Sequence, residues 1–219
     1  MSIIRDISFY KTVIFDFDGV ILDSNRLKSK AFYEVTKSID LNLSHELVEY
    51  NKLNGGISRY KKFGYFRDLC DKNTIVCPSV DYLCEKFKSY LLSEFINCNY
   101  DKSLIDLRPL SNCDWFIISG GKQDEISSVL NHLSLSYLFQ DRIFGSPKTK
   151  EDHFQNLIDK KKIIRPALFI GDSVYDFECS YLFEIDFLFK YEWTEFNEWY
   201  KFCTSKNISY IKSLFDLLI

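Results

Sequence analysis

Apolar residues recur along this chain at two different spacings, and the change between them is the first sign of its organisation. Over residues 25–99 they return every third or fourth position, which predicts helices at 27–39, 44–53, 60–69 and 80–97. Phe63, Phe66 and Leu69 on one of these, and Leu83, Phe87, Leu91 and Phe95 on another, would form buried stripes. Outside this stretch, short runs rich in Val, Ile and Phe alternate with helical segments. The run Val13-Ile14-Phe15 and the segments 114–118, 167–170 and 187–191 predict strands, with helices at 122–133, 151–161, 176–183 and 211–218. Segment 137–144 is mixed. Alternating strands and helices imply crossover connections and a parallel sheet. The expected fold is therefore α/β: a doubly wound, Rossmann-like core from 1–24 and 100–219, interrupted after its first strand by a helical insert at 25–99.

Composition narrows the function classes. The chain has 219 residues, 46% of them hydrophobic, enough to bury a sizeable core. Its 28 basic and 31 acidic residues give a net charge of -3, so nothing argues for nucleic acid as a partner. The 7 cysteines are scattered and never form a CxxC pair, which fits reduced thiols in a cytosolic protein. The opening residues lack the apolar run of a signal peptide, and no stretch approaches the ~18 apolar residues that span a membrane. A soluble, cytoplasmic protein, monomer or homodimer, is expected, with no membrane partner.

The densest chemistry lies at the end of the first predicted strand, where Phe15 leads into Asp16-Phe17-Asp18-Gly19. In an open α/β sheet, ligands bind beyond the carboxyl ends of the strands, and side chains two apart on an extended segment point the same way. Asp16 and Asp18 then converge, and a hard, oxygen-seeking cation such as Mg2+ is the natural occupant between them.

Three later segments sit at or beyond predicted strand ends. Ile118-Ser119-Gly120-Gly121-Lys122 places a hydroxyl and two glycines before a helix, where free N–H groups bind anions. A P-loop is excluded, because Gln123 stands where its Ser or Thr after the lysine belongs. Gly145-Ser146-Pro147-Lys148-Thr149-Lys150 offers two lysines before a helix. Both are candidates for a phosphate, and Lys150 is favoured by its place at the positive end of the helix dipole. Gly171-Asp172-Ser173-Val174-Tyr175-Asp176 delivers Asp172 to the crevice, with Asp176 on the same face if the turn becomes helical.

DFDGV at 16–20, Ser119 after a strand, Lys150 in GSPKTK and GDSVYD at 171–176 occur in the order of the four motifs of the haloacid dehalogenase-like hydrolase superfamily. The chain resembles the helical-cap, β-phosphoglucomutase-like branch over essentially its whole length. The resemblance implies a phosphatase in which Asp16 attacks phosphorus to form an aspartyl-phosphate and Asp18 protonates the leaving oxygen, then activates water. It implies Mg2+ held by the Asp16 carboxylate, the Asp18 carbonyl and Asp172, with Asp176 supporting that shell. Ser119, the Gly120 N–H and Lys150 would hold the phosphoryl oxygens. The insert would be the cap, and Gly56-Ile57-Ser58-Arg59 resembles its substrate-contacting turn, making Ser58 and Arg59 candidates for binding a small phosphorylated metabolite such as a sugar phosphate or a phosphoglycolate-like acid.

A phosphosugar mutase is the alternative. Mutases of this branch carry a histidine twelve residues after the nucleophile, where this chain has Lys28. His45, His132 and His153 all lie outside the motifs. A dehalogenase or a phosphonate hydrolase has no need of Asp18, and a non-catalytic phospho-acceptor module has no large insert after its first strand.

Overall fold

The computed structural model describes residues 6–92 and 94–218. The first five residues of the opening segment, Ser93 within the predicted helix at 80–97, and Ile219 lie outside the described residues. A parallel sheet of six strands runs in the order β3-β2-β1-β4-β5-β6, built from β1 (Thr12–Phe15), β2 (Asp114–Lys122), β3 (Ile143–Ser146), β4 (Ala167–Gly171), β5 (Asp186–Lys190) and β6 (Ser209–Ile211). The fold is the expected α/β, doubly wound class.

Every residue of β1 and β4 is buried, as a strand covered on both faces requires. The pleat sorts their side chains. Val13 pairs in register with Trp115 and Leu168, and all three face one core, while Ile14, Phe116 and Phe169 face the other. The second core is closed by Phe154 and Leu157 of α8 (Lys150–Asp159) and Cys179 of α9 (Val174–Leu182). On the first face lie α5 (Ser103–Leu110), α6 (Gln123–His132) and the one-turn α7 (Ser136–Phe139), with α10 (Trp199–Lys206) beside β5.

Residues 25–99 carry α1 (Asn25–Thr36), α2 (Leu41–Leu53), α3 (Arg59–Lys72) and α4 (Val80–Leu92), which pack on one another. Their centre is aromatic: Phe32 lies 5.0 Å from Phe63 and 4.4 Å from Phe87, ring centre to ring centre. Phe63, Phe66, Leu69, Leu83, Phe87, Leu91 and Phe95, the residues of the expected stripes, are all buried. The fourth helix stops at Leu92, and Phe95–Asn97 is a separate 3-10 turn.

Three local expectations need correction. Residues 211–218 are not a helix: Ile211 ends β6, and a Ser213–Asp216 capping box limits the rest to the 3-10 turn Leu214–Leu217, with the buried Leu214 N–H donating to Asp101 Oδ2 at 2.9 Å. The two glycines after Ser119 do not open a helix. They continue β2 to Lys122, with a register shift against β3, and α6 begins at Gln123. Helices α5 and α10 and strand β6 were not expected. Among the described residues no helix is long and apolar enough to cross a membrane, and all 7 cysteines are free thiols.

The aromatic centre of the helical insert gives a stability test. Phe87→Ala removes a ring that packs against Phe32, Phe63 and the Arg59 guanidinium. It is expected to cost about 3–5 kcal/mol, read from the urea unfolding midpoint at constant m-value.

Candidate active site

The carboxyl ends of β1, β2 and β4 meet at one point above the sheet, because in-register parallel pairing brings Phe15 level with Ile117 and Ile170. Asp16 and Asp172 follow the last residues of β1 and β4, and Ser119 lies within β2, two residues past Ile117; all three are buried. Lys150, first residue of α8, reaches the same point and is fully enclosed. Its Nζ lies 2.9 Å from Asp16 Oδ2 and forms a second, shorter ion pair with Asp176 Oδ1. Lys148, the other candidate lysine, is exposed.

Asp176 has no oxygen to spare. Oδ2 accepts hydrogen bonds from the Asp172 and Ser173 backbone N–H groups, each at 3.2 Å, and from Ser173 Oγ at 2.6 Å, in the capping box that starts α9. The N-cap is Ser173, which leaves Asp172 outside the helix. Asp176 therefore anchors the loop and Lys150, and any lone pair it offers to a cation is on an oxygen shared with them. Asp16 Oδ1 accepts the Phe17 N–H at 2.7 Å, and Asp172 Oδ2 accepts from Asn25 Nδ2 at 2.7 Å. Gly19, at φ +79, lies so close to Asp172 and Asn25 that any side chain there would displace them.

The electrostatics follow from burying three carboxylates around one ammonium. Burial pushes Asp16 up to about 7, against the pull of Lys150 and with the help of Asp176 and Asp18. Burial, then Asp176 and Asp16, raise Asp172 well above the usual carboxylate range. Lys150 goes the other way: burial opposes its charge, yet Asp16 and Asp176 outweigh it and raise its pKa. One ligand atom from each of Asp16, Asp172 and Asp176 can be drawn within 4.8 Å of the others. Three carboxylates against one lysine leave a surplus of two formal negative charges in a buried, all-oxygen donor set. That set fits a hard divalent cation, with Asp16 and Asp172 offering the open lone pairs.

Asp18 is held differently. Its Oδ1 accepts from Ser24 Oγ at 2.6 Å and its Oδ2 from the Lys28 ammonium. Burial alone would raise its pKa, but Lys28 and Ser24 reverse the effect and hold it below the usual value. Two carboxylates two residues apart thus have opposite proton affinities, the pattern that separates a nucleophile from an acid–base partner. Ser119 Oγ accepts the Gly121 N–H at 3.1 Å, and its own proton is free to turn toward the crevice.

The α2–α3 turn closes over this point. Gly56, also at φ +79, comes so near that a methyl group on it would meet Ser173, Tyr175 and Lys150, and one on Gly120 would strike the Gly56 carbonyl. Beneath the turn lies a crevice open on one side, with Asp16, Asp18, Ser119, Gly120 and Asp172 at its floor and Lys28, Asn51, Arg59 and Lys62 on its helical wall. Arg59 is at that wall, but its guanidinium is already engaged: it makes a two-pronged ion pair with Glu125 of α6, both side chains buried, and lies 4.7 Å from the Phe87 ring centre. Ser58 is the N-cap residue of α3 and does not line the cavity. The histidines stand apart: His45 and His132 are exposed, and buried His153 binds the Gly145 carbonyl at 2.9 Å.

Ser24, Asn25, Asn51, Lys62 and Glu195 were not singled out in the sequence. None sits in a motif, and Asn25, Asn51 and Glu195 owe their places to partners 147, 22 and 166 residues away, while Ser24 and Lys62 bond Asp18 and Asn51 nearer in the chain. Asn25 alone carries a faint signal, as the first residue after the strand-end turn.

Residues 13–190 match the family of haloacid dehalogenase-like hydrolases, and the chain belongs to that family. No curated protein matches it by sequence. Among solved structures it is similar to a predicted phosphatase from Clostridium acetobutylicum (17% identity, TM-score 0.74, covering 96% of this chain and 97% of the other). It is similar to a proposed phosphoglycolate phosphatase from Lactobacillus plantarum (15%, 0.68, 95% and 98%). A β-phosphoglucomutase from Clostridium difficile is similar too (20%, 0.69, 93% and 91%). At these identities the likeness is one of fold.

The buried lysine can be tested without any substrate. Lys150→Met leaves Asp16 and Asp176 enclosed with no counter-ion, and should lower stability by about 3–5 kcal/mol in chemical denaturation. Lys148→Met, at an exposed site, should change it by less than about 0.5 kcal/mol.

Proposed function

We propose that this hydrolase is a Mg2+-dependent phosphatase acting on a small phosphorylated metabolite through an aspartyl-phosphate on Asp16, with residues 25–99 as a cap over the 1–24 and 100–219 core. The observation that carries the reading is the contrast between Asp16 and Asp18: one carboxylate set against Lys150 and Asp172 at the crevice floor, the other held two residues away by Ser24 and Lys28. The names of the structural neighbours, two of them phosphatases, point the same way.

In this reading Asp16 and Asp172, with the Asp18 backbone carbonyl, hold Mg2+, and Asp176 supports them from behind through Lys150 and the α9 capping box. The ion, when bound, neutralises charge on the phosphoryl group and the carboxylates. Asp16 attacks phosphorus in line with the leaving oxygen. Lys150, Ser119 Oγ and the Gly120 N–H hold the equatorial oxygens, and such donors act by being in place before charge develops. Asp18 gives a proton to the leaving oxygen in the first step and takes one from water in the second. The Lys28 ammonium favours the ionised form of Asp18, and so favours the second, base role. A mutase must instead pass the phosphoryl group back to a sugar before water reaches it. Here the mutase histidine is replaced by Lys28, whose charge is committed to Asp18.

Hydrolysis of a panel of phosphorylated metabolites with Mg2+ and then with EDTA tests the reading. Activity should vanish in EDTA and in Asp16→Asn, and Asp18→Asn should lose about 10²–10⁴-fold in kcat. Full turnover in Asp16→Asn would overturn the mechanism.

The proton on Asp18 supplies an independent check. Lys28 lowers the pKa of Asp18, so Lys28→Met should raise it, and the acidic limb of the pH–kcat profile should move to higher pH. A limb that stays in place would disconnect Lys28 from Asp18 in turnover.

A further inference from the structure

Three cations of the cap face the cavity from α1 and α3, and they differ in what already binds them. Lys28 is paired with Asp18, and Arg59 is taken by Glu125. Lys52, at the end of α2, is paired with Glu49 at 2.6 Å. Lys62, one helical turn after Arg59, is only 6% exposed and forms no ion pair among the described residues. Its single hydrogen-bond acceptor is the amide oxygen Asn51 Oδ1, at 2.7 Å. An ammonium has three N–H donors, so two of them point elsewhere in a wall that lines the cavity.

The surroundings of Lys62 are ordered to keep it there. Asn51 is fixed from its other side, because its Nδ2 donates to Ser29 Oγ at 2.9 Å and Ser29 in turn donates to Glu195, in the loop after β5. The chain of hydrogen bonds therefore runs from an ammonium to a carboxylate across three helices and one core loop, and both Lys62 and Glu195 line the cavity, with the Glu195 carboxylate held by Ser29. The Phe32 ring covers another side of the ammonium, 5.7 Å from its centre. A buried cation with one neutral acceptor is a costly arrangement unless something negative arrives to complete it.

Resting on the phosphatase reading, we infer that the helical wall of the cavity is a subsite for a second anionic group of the substrate, a carboxylate at the end opposite its phosphoryl group, with Lys62 as the anchor. A carboxylate is favoured over a second phosphoryl group by charge: one uncommitted ammonium matches one negative charge, and the neighbouring cations are already neutralised by Asp18, Glu125 and Glu49. Burial, reinforced by the nearby Lys28 charge, pushes Lys62 down to about 7, and an anion in contact restores its ammonium form. Arg59 acts on this wall from behind. Its ion pair with Glu125 ties the first turn of α3 to α6 and so fixes where Lys62 stands.

The test compares non-hydrolysable phosphonates that share a head group and differ at the tail, in the presence of Mg2+. Phosphonoacetate and 3-phosphonopropionate carry the carboxylate, and ethylphosphonate and propylphosphonate do not. Binding is read by titration calorimetry and by competition with p-nitrophenyl phosphate hydrolysis. The better acid should bind wild-type protein about 10–100-fold tighter than its alkyl counterpart. Lys62→Met should erase that difference while leaving alkylphosphonate binding within about twofold, and Lys62→Arg should keep most of it. Should Lys62→Met fail to fold, Lys62→Gln, which can still donate to Asn51, is read the same way. No preference for the acids in wild-type protein, or a preference intact in the uncharged variant, would overturn the subsite. Equal loss of both ligand types would do so too, since it would make Lys62 a support for the cap. Failure of the phosphatase reading looks different: wild-type protein would not hydrolyse p-nitrophenyl phosphate, while calorimetry would still report on the subsite.

Discussion

A single enclosed ammonium, that of Lys150, is the constraint around which the crevice is arranged. Two buried carboxylates, Asp16 and Asp176, are tolerable so close together only because Lys150 stands between them. Several local features serve that contact. The Thr149–Asp152 capping box starts α8 so that Lys150 is its first residue, and the Ser173–Asp176 box turns the second carboxylate inward. The surplus negative charge then falls on Asp16 and Asp172, the charge that a bound cation would neutralise. Charge left over from folding becomes affinity for a ligand.

The helical insert handles charge by the opposite rule. In the core, carboxylates outnumber their lysine. On the helical wall, cations are matched one by one, Lys28 to Asp18 and Arg59 to Glu125, until Lys62 remains with an amide oxygen alone. Both of these pairs join helices α1 and α3 to residues on or beside the sheet, so the position of those helices and the proton affinity of Asp18 are linked through the same side chains. The glycines of the α2–α3 turn make this closeness possible, since a side chain at Gly56 would collide with Lys150 and its neighbours.

Much of this was legible in the sequence, for reasons that also explain the gaps. Buried parallel strands write themselves as apolar runs, so β1, β2, β4 and β5 stood out, as did the helical spacing of Phe63, Phe66 and Leu69. The pairing of Asp16 with Lys150 could be suspected from motif order and a dipole argument. Residues 211–218 were misread because Ile211, Leu214 and Leu218 have helical spacing, whereas Ile211 belongs to β6 and the Ser213–Asp216 box starts a single 3-10 turn. Edge strand β6 has a three-residue ladder and little apolar signal. The wall residues were opaque for a different reason. Whether Arg59 or Lys62 carries the free charge depends on Glu125 and Asn51, and nothing in local pattern reveals which helix will supply a partner.

The central place of β1 in the sheet has a bearing on biosynthesis. The strand that carries Asp16 is made before both of its hydrogen-bonded neighbours, β2 and β4, and before Lys150 and Asp172. Closing such long loops is slow, and it must wait for the distal segments. A nascent chain halted before β4 holds Asp16 without the Asp172 carboxylate beside it. The crevice is therefore assembled only once β4 has joined the sheet next to β1.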